Sequence, residues 1–273
     1  MIELPEGILA WKGAAVAVWL TAFFLAERLR PAAPLPVAAG RPLNRLARNG
    51  LLWGINTLLS PLVVLPVTVW AAGHGLDWRP AWWDGPAALL LDLLVLDGLI
   101  YWWHRANHVV PFLWRFHEVH HLDATLDTTT ALRFHFGEVL LSAGARAAVI
   151  VLLDVPLLSV VVFETVVLVA TIFHHSNLAL PPRLERALAR VVVTPSIHWV
   201  HHHARRRDTD SNYATVLSLW DPLFASRSAT PRRPAMAIGV EGRGEEPLAQ
   251  LLLHPLYRGG AAARRPLPGR RAR

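Results

Sequence analysis

The chain has 273 residues, 53% of them hydrophobic and only 17% charged, with twelve tryptophans and a formal net charge of +7. That balance is too apolar for an ordinary soluble domain and reads as a multi-spanning membrane protein. There is no cysteine, which excludes disulfides, thiolate zinc sites, iron–sulfur clusters and a cysteine nucleophile, so imidazole and carboxylate must do any metal ligation.

Apolar runs of about twenty residues mark the expected spans. Residues 8–29 form the first, an uncleaved helix because the run is too long for a signal-peptide core and has no basic segment before it. Pro31, Pro34 and Pro36 end it, and an arginine-bearing connector runs to Arg48. Residues 50–72 form the second, with Pro61 and Pro66 as expected kinks. After a polar loop carrying His74, Asp77, Arg79 and Asp84, residues 86–103 form the third, whose helix should continue to Pro111. The stretch 138–173 is broken at Asp154-Val155-Pro156, giving two short spans or a hairpin that starts and ends on one side. Arg146 and Glu164 lie inside it as a candidate pair. The tail 261–273 reads as disordered.

The fold expected is therefore all-α: a membrane helical bundle of about four to five segments with a histidine-rich helical cap. Arginines set its orientation. Arg30, Arg41, Arg45 and Arg48, then Arg105, Arg115 and Arg133, then the arginine-rich chain after residue 182 fall on one side, whereas the loop 73–85 holds only Arg79. By the positive-inside rule the basic side is cytoplasmic and the N-terminus outside. Because these arginines flank spans, contact with anionic lipid headgroups is expected and nucleic-acid binding is not.

Twelve of the fourteen histidines lie between His104 and His203, leaving only His74 and His254 apart. They are arranged as His104-x3-His108, His117-x2-His120-His121, His135, His174-His175 and His198-x2-His201-His202-His203. Residues three and four apart share a helix face, so each run presents several imidazoles together. Pro111 suits the start of one short helix, and Thr194-Pro195, as N-cap and first residue, the start of another. Two such helices plus the third span offer more imidazoles than one ion can take, which signals a polynuclear metal site. Asp97 lies on the stripe of Tyr101, His104 and His108 and is placed to accept a ring N–H from His104 or a neighbour.

Two other readings remain open on the residues alone. His117-Glu118-x-x-His121 satisfies the pattern of an intramembrane zinc metalloprotease with Glu118 as general base, although that chemistry leaves most of the histidines unused. A non-enzymatic metal-binding membrane protein is the third class.

Residues 97–224 resemble the fatty acid hydroxylase / sterol desaturase superfamily of membrane di-iron oxygenases. The run from Asp97 through His104 to His108 looks like its first histidine box, and Leu113 through His117 to His121 its second. Arg133-Phe134-His135-Phe136-Gly137-Glu138 is similar to its R-x-H-P-x-E segment, His175-Ser176-Asn177 to its H-[SA]-N element, and His198-Trp-Val-His201-His202 to its third box. Asp210-Ser-Asn212-Tyr213 and Trp220-Asp221-Pro-Leu-Phe224 look like its trailing motifs. The chain departs from the pattern at Phe136, Ala214 and Pro222, where proline, glycine and arginine are usual.

The resemblance implies two iron ions held by His104, His108, His117, His120, His121, His135, His175, His198, His201 and His202, with His174 and His203 as extras. It implies supporting roles for Asp97, Glu118, Glu138 and Asn177. It also implies O2-dependent hydroxylation or desaturation of a lipid C–H bond, with electrons from an external ferredoxin- or cytochrome-type reductase system. The expected organisation is N-terminal transmembrane helices in 1–85, a catalytic unit in 86–235 and a cytoplasmic tail in 236–273. The near-total preference for arginine over lysine suggests a bacterial inner membrane.

Overall fold

A computed structural model describes residues 7–34 and 42–257; Pro36, Arg41 and the tail 261–273 lie outside the described residues. Helix α1 (Ile8–Leu29) is followed by α2 (Pro42–Leu59), a π-helical turn (Ser60–Val64) and α3 (Leu65–Ala72). The π turn falls at Pro61: proline cannot donate the N–H an α-helix needs there, and the chain widens by one residue instead of breaking. The second span also begins earlier than expected, at Pro42, so Arg45 and Arg48 belong to a helix and not to a connector.

Helix α4 (Gly85–Val109) runs without a break through the first histidine pair, and α5 (Pro111–His121) follows it with proline in its first turn. A 3-10 turn (Thr128–Leu132) leads into α6 (Phe136–Leu153) and α7 (Leu157–His175). The break between the last two is made by Asp154, which takes a left-handed conformation with φ 54°. At 18 and 19 residues, each is about 27–29 Å long, enough to cross the apolar part of a bilayer alone. The remaining short helices are α8 (Pro182–Leu188), α9 (Pro195–His201), α10 (Arg206–Thr209), α11 (Trp220–Leu223) and α12 (Leu248–Tyr257). Among the described residues there is no strand, only three isolated bridges, and five helices are long and apolar enough to cross a membrane.

The bundle is tied at both ends by polar contacts. Between them, Ala71, Leu96, Ala147, Ile150, Val155, Val160 and Phe163 form an apolar core joining α3, α4, α6 and α7. At the end away from the histidines, Asp92 accepts from Arg79 (2.5 Å), Ser159 (2.6 Å) and the Trp83 indole (3.0 Å), while Arg79 also donates to the Asp154 carbonyl. These bonds clamp the loop after α3 to the α6–α7 turn. Within the spans, Glu164 pairs with Lys12 at 2.8 Å and with Arg146 at 3.4 Å, so the anticipated Arg146 partner is joined by a cation from α1.

At the histidine end two arginines are buried in polar contacts instead of facing outward. Arg45 is 6% and Arg133 0% exposed. Arg45 binds both carboxylate oxygens of Asp123 (2.7 and 2.8 Å) and of Asp127 (2.7 and 3.0 Å). Arg133 donates to the Val119 carbonyl and to Asn49. Burial alone would raise the Asp123 carboxyl, but Arg45 and Arg133 beside it hold it down at about 2. Glu27 at the end of α1 accepts from Thr128 and from the Asn177 backbone. Polar side chains thus lock α1, α2, α5 and α7 together where the histidines gather.

Arg45→Ala leaves two buried carboxylates without their counter-charge. Denaturant unfolding in detergent is expected to show a loss of about 3–5 kcal/mol. An effect below about 1 kcal/mol would mean that the pair is not a tie.

Candidate metal centre

Nine buried histidines form two adjoining cages. His104, His108, His117, His121 and His201 offer ring nitrogens that all lie within 4.8 Å of one another, and His120, His175, His198 and His202 do the same. Each cage is built on pairs four residues apart: His104/His108 on α4 and His117/His121 on α5 for the first, His198/His202 at α9 for the second. Neighbouring residues on a helix point about 100° apart. Hence His120 and His121 enter different cages, as do His201 and His202. The two cages share a wall, where the His121 and His202 rings stack with centroids 4.3 Å apart.

Proline starts both short helices, at α5 and at α9. Thr194 occupies the N-cap position of α9 in extended conformation, yet its hydroxyl makes no capping bond and is buried without a partner.

Hydrogen bonds define which nitrogen of each ring faces inward. In the first cage, Nδ1 donates from His104 to the Tyr213 carbonyl (2.8 Å), from His117 to Glu138 (2.8 Å) and from His201 to the Ser211 carbonyl (2.7 Å). In the second, Nδ1 donates from His120 to the Arg133 carbonyl (3.1 Å) and from His175 to the Thr171 carbonyl (2.8 Å). A carbonyl can only accept, so the proton sits on Nδ1 and Nε2 carries a lone pair. The Nε2 atoms of His120 and His175 are nonetheless 3.1 Å apart, two lone pairs facing each other with no hydrogen between them. His198 Nε2 is 3.0 Å from that of His175 and 3.1 Å from that of His202.

Such contacts suit a shared cation. Nitrogens about 2.1 Å from one metal ion stand about 3.0–3.4 Å from each other, depending on the angle. Nε2 of His117 and His201, and both ring nitrogens of His108 and His121, are buried with no hydrogen-bond partner, a cost that ligation removes. Burial, reinforced by neighbouring imidazoles, pushes His120, His121, His198 and His202 far below the usual histidine range, and burial pushes His201 down to about 3. Their rings are therefore neutral at pH 7, the form that ligates. The donor set fits two metal ions.

Several residues singled out from the sequence lie elsewhere. His135 is not in either cage: its Nδ1 accepts from the Gly137 backbone and its Nε2 donates to the Leu252 carbonyl, so both nitrogens are engaged at the start of α6. His203 donates to Asp208. His174 packs against the His198 ring at 4.0 Å without joining the cage. Glu138 does hold a histidine, His117.

The other three acids and amides act differently from expectation. Asp97 touches no histidine and instead accepts from the Val216 and Leu217 backbone and the Trp220 indole, tying the C-terminal loop to α4. Asn177 bonds both ways with the Ala33 backbone, joining the end of α7 to the segment after α1. Glu118 points away from the cages to His254 at 3.0 Å. A zinc-protease base must face the metal, so this orientation argues against that reading of His117-Glu118-x-x-His121.

Sequence reasoning missed the carbonyls of Arg133, Thr171, Ser211 and Tyr213, which orient four of the nine rings, because any residue type carries a carbonyl. It also set aside His254, which is buried between Glu118 and Glu246; the lone position gave no signal.

A bundle of membrane-length helices capped by two imidazole cages points to a class of membrane proteins able to hold metal. A family model described as fatty acid hydroxylase matches residues 89–226, half of the chain including both cages, and the chain belongs to that family. Among curated proteins it is 26% identical over 200 residues to the ornithine lipid hydroxylase OlsE of Rhizobium tropici, covering 73% of this chain and 60% of that one. It is 31% identical to the alkylglycerol monooxygenase of Homo sapiens over 54% of this chain and 32% of that one. To the cholesterol 25-hydroxylase of Rattus norvegicus it is 26% identical over 68% and 63%. The chain thus spans between about a third and three-fifths of the length of these relatives. No solved structure matches it.

Two metal-binding measurements separate the cage residues from the rest. His135→Ala is expected to keep the wild-type metal content, whereas His201→Ala loses metal from the first cage. Glu138→Gln, which leaves His117 without its charged acceptor, should weaken metal binding about 10–100-fold by titration calorimetry. Loss of metal on replacing His135 would overturn the assignment.

Proposed function

We propose that this chain is a membrane di-iron oxygenase that hydroxylates, or alternatively desaturates, a C–H bond of a lipid. The observation that carries the reading is the pair of adjoining cages of five and four buried imidazoles. His104, His108, His117, His121 and His201 would hold one iron, and His120, His175, His198 and His202 the other. Bound iron supplies the one-electron redox chemistry that activates O2, which zinc lacks. Hydroxylation balances as C–H plus O2, two electrons and two protons giving C–OH and water. The electrons must come from outside the substrate, from a ferredoxin- or cytochrome-type donor.

The chain's own residues supply position. Backbone carbonyls and Glu138 hold the rings in one tautomer, so little rearrangement is needed when metal or substrate arrives. The cages sit at the ends of α4 and α7, two apolar membrane-length helices, which suits a substrate whose chain lies in the bilayer. Hydroxylation is favoured over desaturation because the similar proteins are named as hydroxylases and monooxygenases of an ornithine lipid, an alkylglycerol and a sterol. We read 86–235 as the catalytic unit, preceded by N-terminal spans. Arginine placement supports a cytoplasmic face for the cages, and arginine usage supports a bacterial inner membrane.

The test is lipid mass spectrometry of cells with and without the protein under 18O2. One 18O atom is expected in a lipid that disappears when His120 or His201 is replaced by alanine, with product lowered more than about 100-fold. Tightly bound zinc in the purified protein and no oxygen-dependent product would refute the proposal.

A further inference from the structure

We propose that the corner between α4 and α5, with the arginine run Arg205–Arg207 beside it, is the docking surface of an acidic one-electron carrier protein, and that Trp114 passes its electrons inward. The inference rests on the oxygenase reading, which requires electrons from outside. The chain has no cysteine to build an iron–sulfur relay of its own.

Three observations converge here. The first is an exposed apolar corner at the end of α4. Helix α4 has 25 residues, about 37 Å at 1.5 Å per residue, which exceeds a hydrocarbon core of about 30 Å. Its last turn holds His108, and beside it Val109, Val110 and Phe112 are 60%, 40% and 52% exposed. An exposed apolar patch with a polar rim marks an interaction surface.

The second is charge. Arg205, Arg206 and Arg207 are all exposed. Arg206 reaches the corner itself, donating to the His108 carbonyl at 2.9 Å and pairing with Asp210. Neither Arg205 nor Arg207 has an ion-pair partner among the described residues. A partner with an acidic face gains both steering and contact from such a rim.

The third is continuity with the cages. The half-buried Trp114 ring has its centroid 5.1 Å from that of His108, 5.5 Å from that of His121 and 6.2 Å from that of His117. It therefore lies against three of the five imidazoles of the first cage. The Arg206 guanidinium sits over the same ring, 4.5 Å from its centroid. One aromatic ring thus spans from the arginine rim to the ligands. Each reduced carrier would be oxidised by one electron, two carriers per hydroxylation.

The experiment uses the full chain, iron-loaded, in lipid discs of neutral phosphatidylcholine. The probes are two acidic carriers, a plant-type [2Fe–2S] ferredoxin and the haem domain of a cytochrome b5, with association followed by interferometry at several salt concentrations. Wild-type association with at least one carrier should fall steeply with salt. Arg205→Glu combined with Arg207→Glu should slow it at least about tenfold and flatten the salt dependence, and Phe112→Ser should speed dissociation, both with unchanged iron content. Trp114→Leu should bind the carrier normally, but carrier oxidation should slow about tenfold while reduction by dithionite keeps its rate. The proposal is overturned if neither carrier binds the wild type, or if the arginine variants associate normally. It is also overturned if those variants lose only binding to anionic phosphatidylglycerol vesicles, which would make the corner a lipid contact. Absence of iron or of 18O product in the wild type would instead sink the oxygenase reading.

Discussion

An imidazole lone pair is useful only when something else holds its ring. In this protein, five of the nine cage rings are held by an Nδ1–H bond to an acceptor, four to backbone carbonyls and one to Glu138. The consequence is that Nε2 atoms crowd at hydrogen-bond distance without a hydrogen to share, an arrangement that only a cation relieves. Burial reinforces it at His120, His121, His198 and His202, where neighbouring imidazoles also disfavour the charged ring. The site is prepared for metal by its surroundings as much as by its ligands.

Those surroundings explain the buried charges at the same end of the bundle. The carbonyl that orients His120 belongs to Arg133, whose guanidinium is fixed by Val119 and Asn49. Asn49 lies one turn from Arg45, which grips Asp123 and Asp127. The ion network thus controls where the loop between α5 and α6 lies, and with it one ring of the second cage. Asp97 serves the first cage in the same indirect way. By gripping Val216, Leu217 and Trp220 it positions the loop whose Tyr213 and Ser211 carbonyls aim His104 and His201.

The histidine spacing was legible because it follows from helix geometry alone: residues three and four apart share a face whatever packs against them. The apolar spans were legible for a similar reason, since a twenty-residue run needs no knowledge of its neighbours. Even the proline starts of α5 and α9 could be read locally. Glu118 was misread because a carboxylate beside a histidine in sequence occupies a different helix face, and its partner His254 is 136 residues away. His135 was misread for the complementary reason: its motif resembles a ligand segment, but its ring is taken up locally by Gly137 and from afar by Leu252.

By itself, then, the amino-acid order determined that this is an all-helical, membrane-length bundle rich in clustered imidazoles, because periodicity and hydropathy act within single helices. Tertiary structure decided that the imidazoles divide five and four, that adjacent histidines serve different cages, and which nitrogen faces inward. Those outcomes depend on carbonyls and carboxylates brought in from other helices, and no local pattern encodes the direction from which they come.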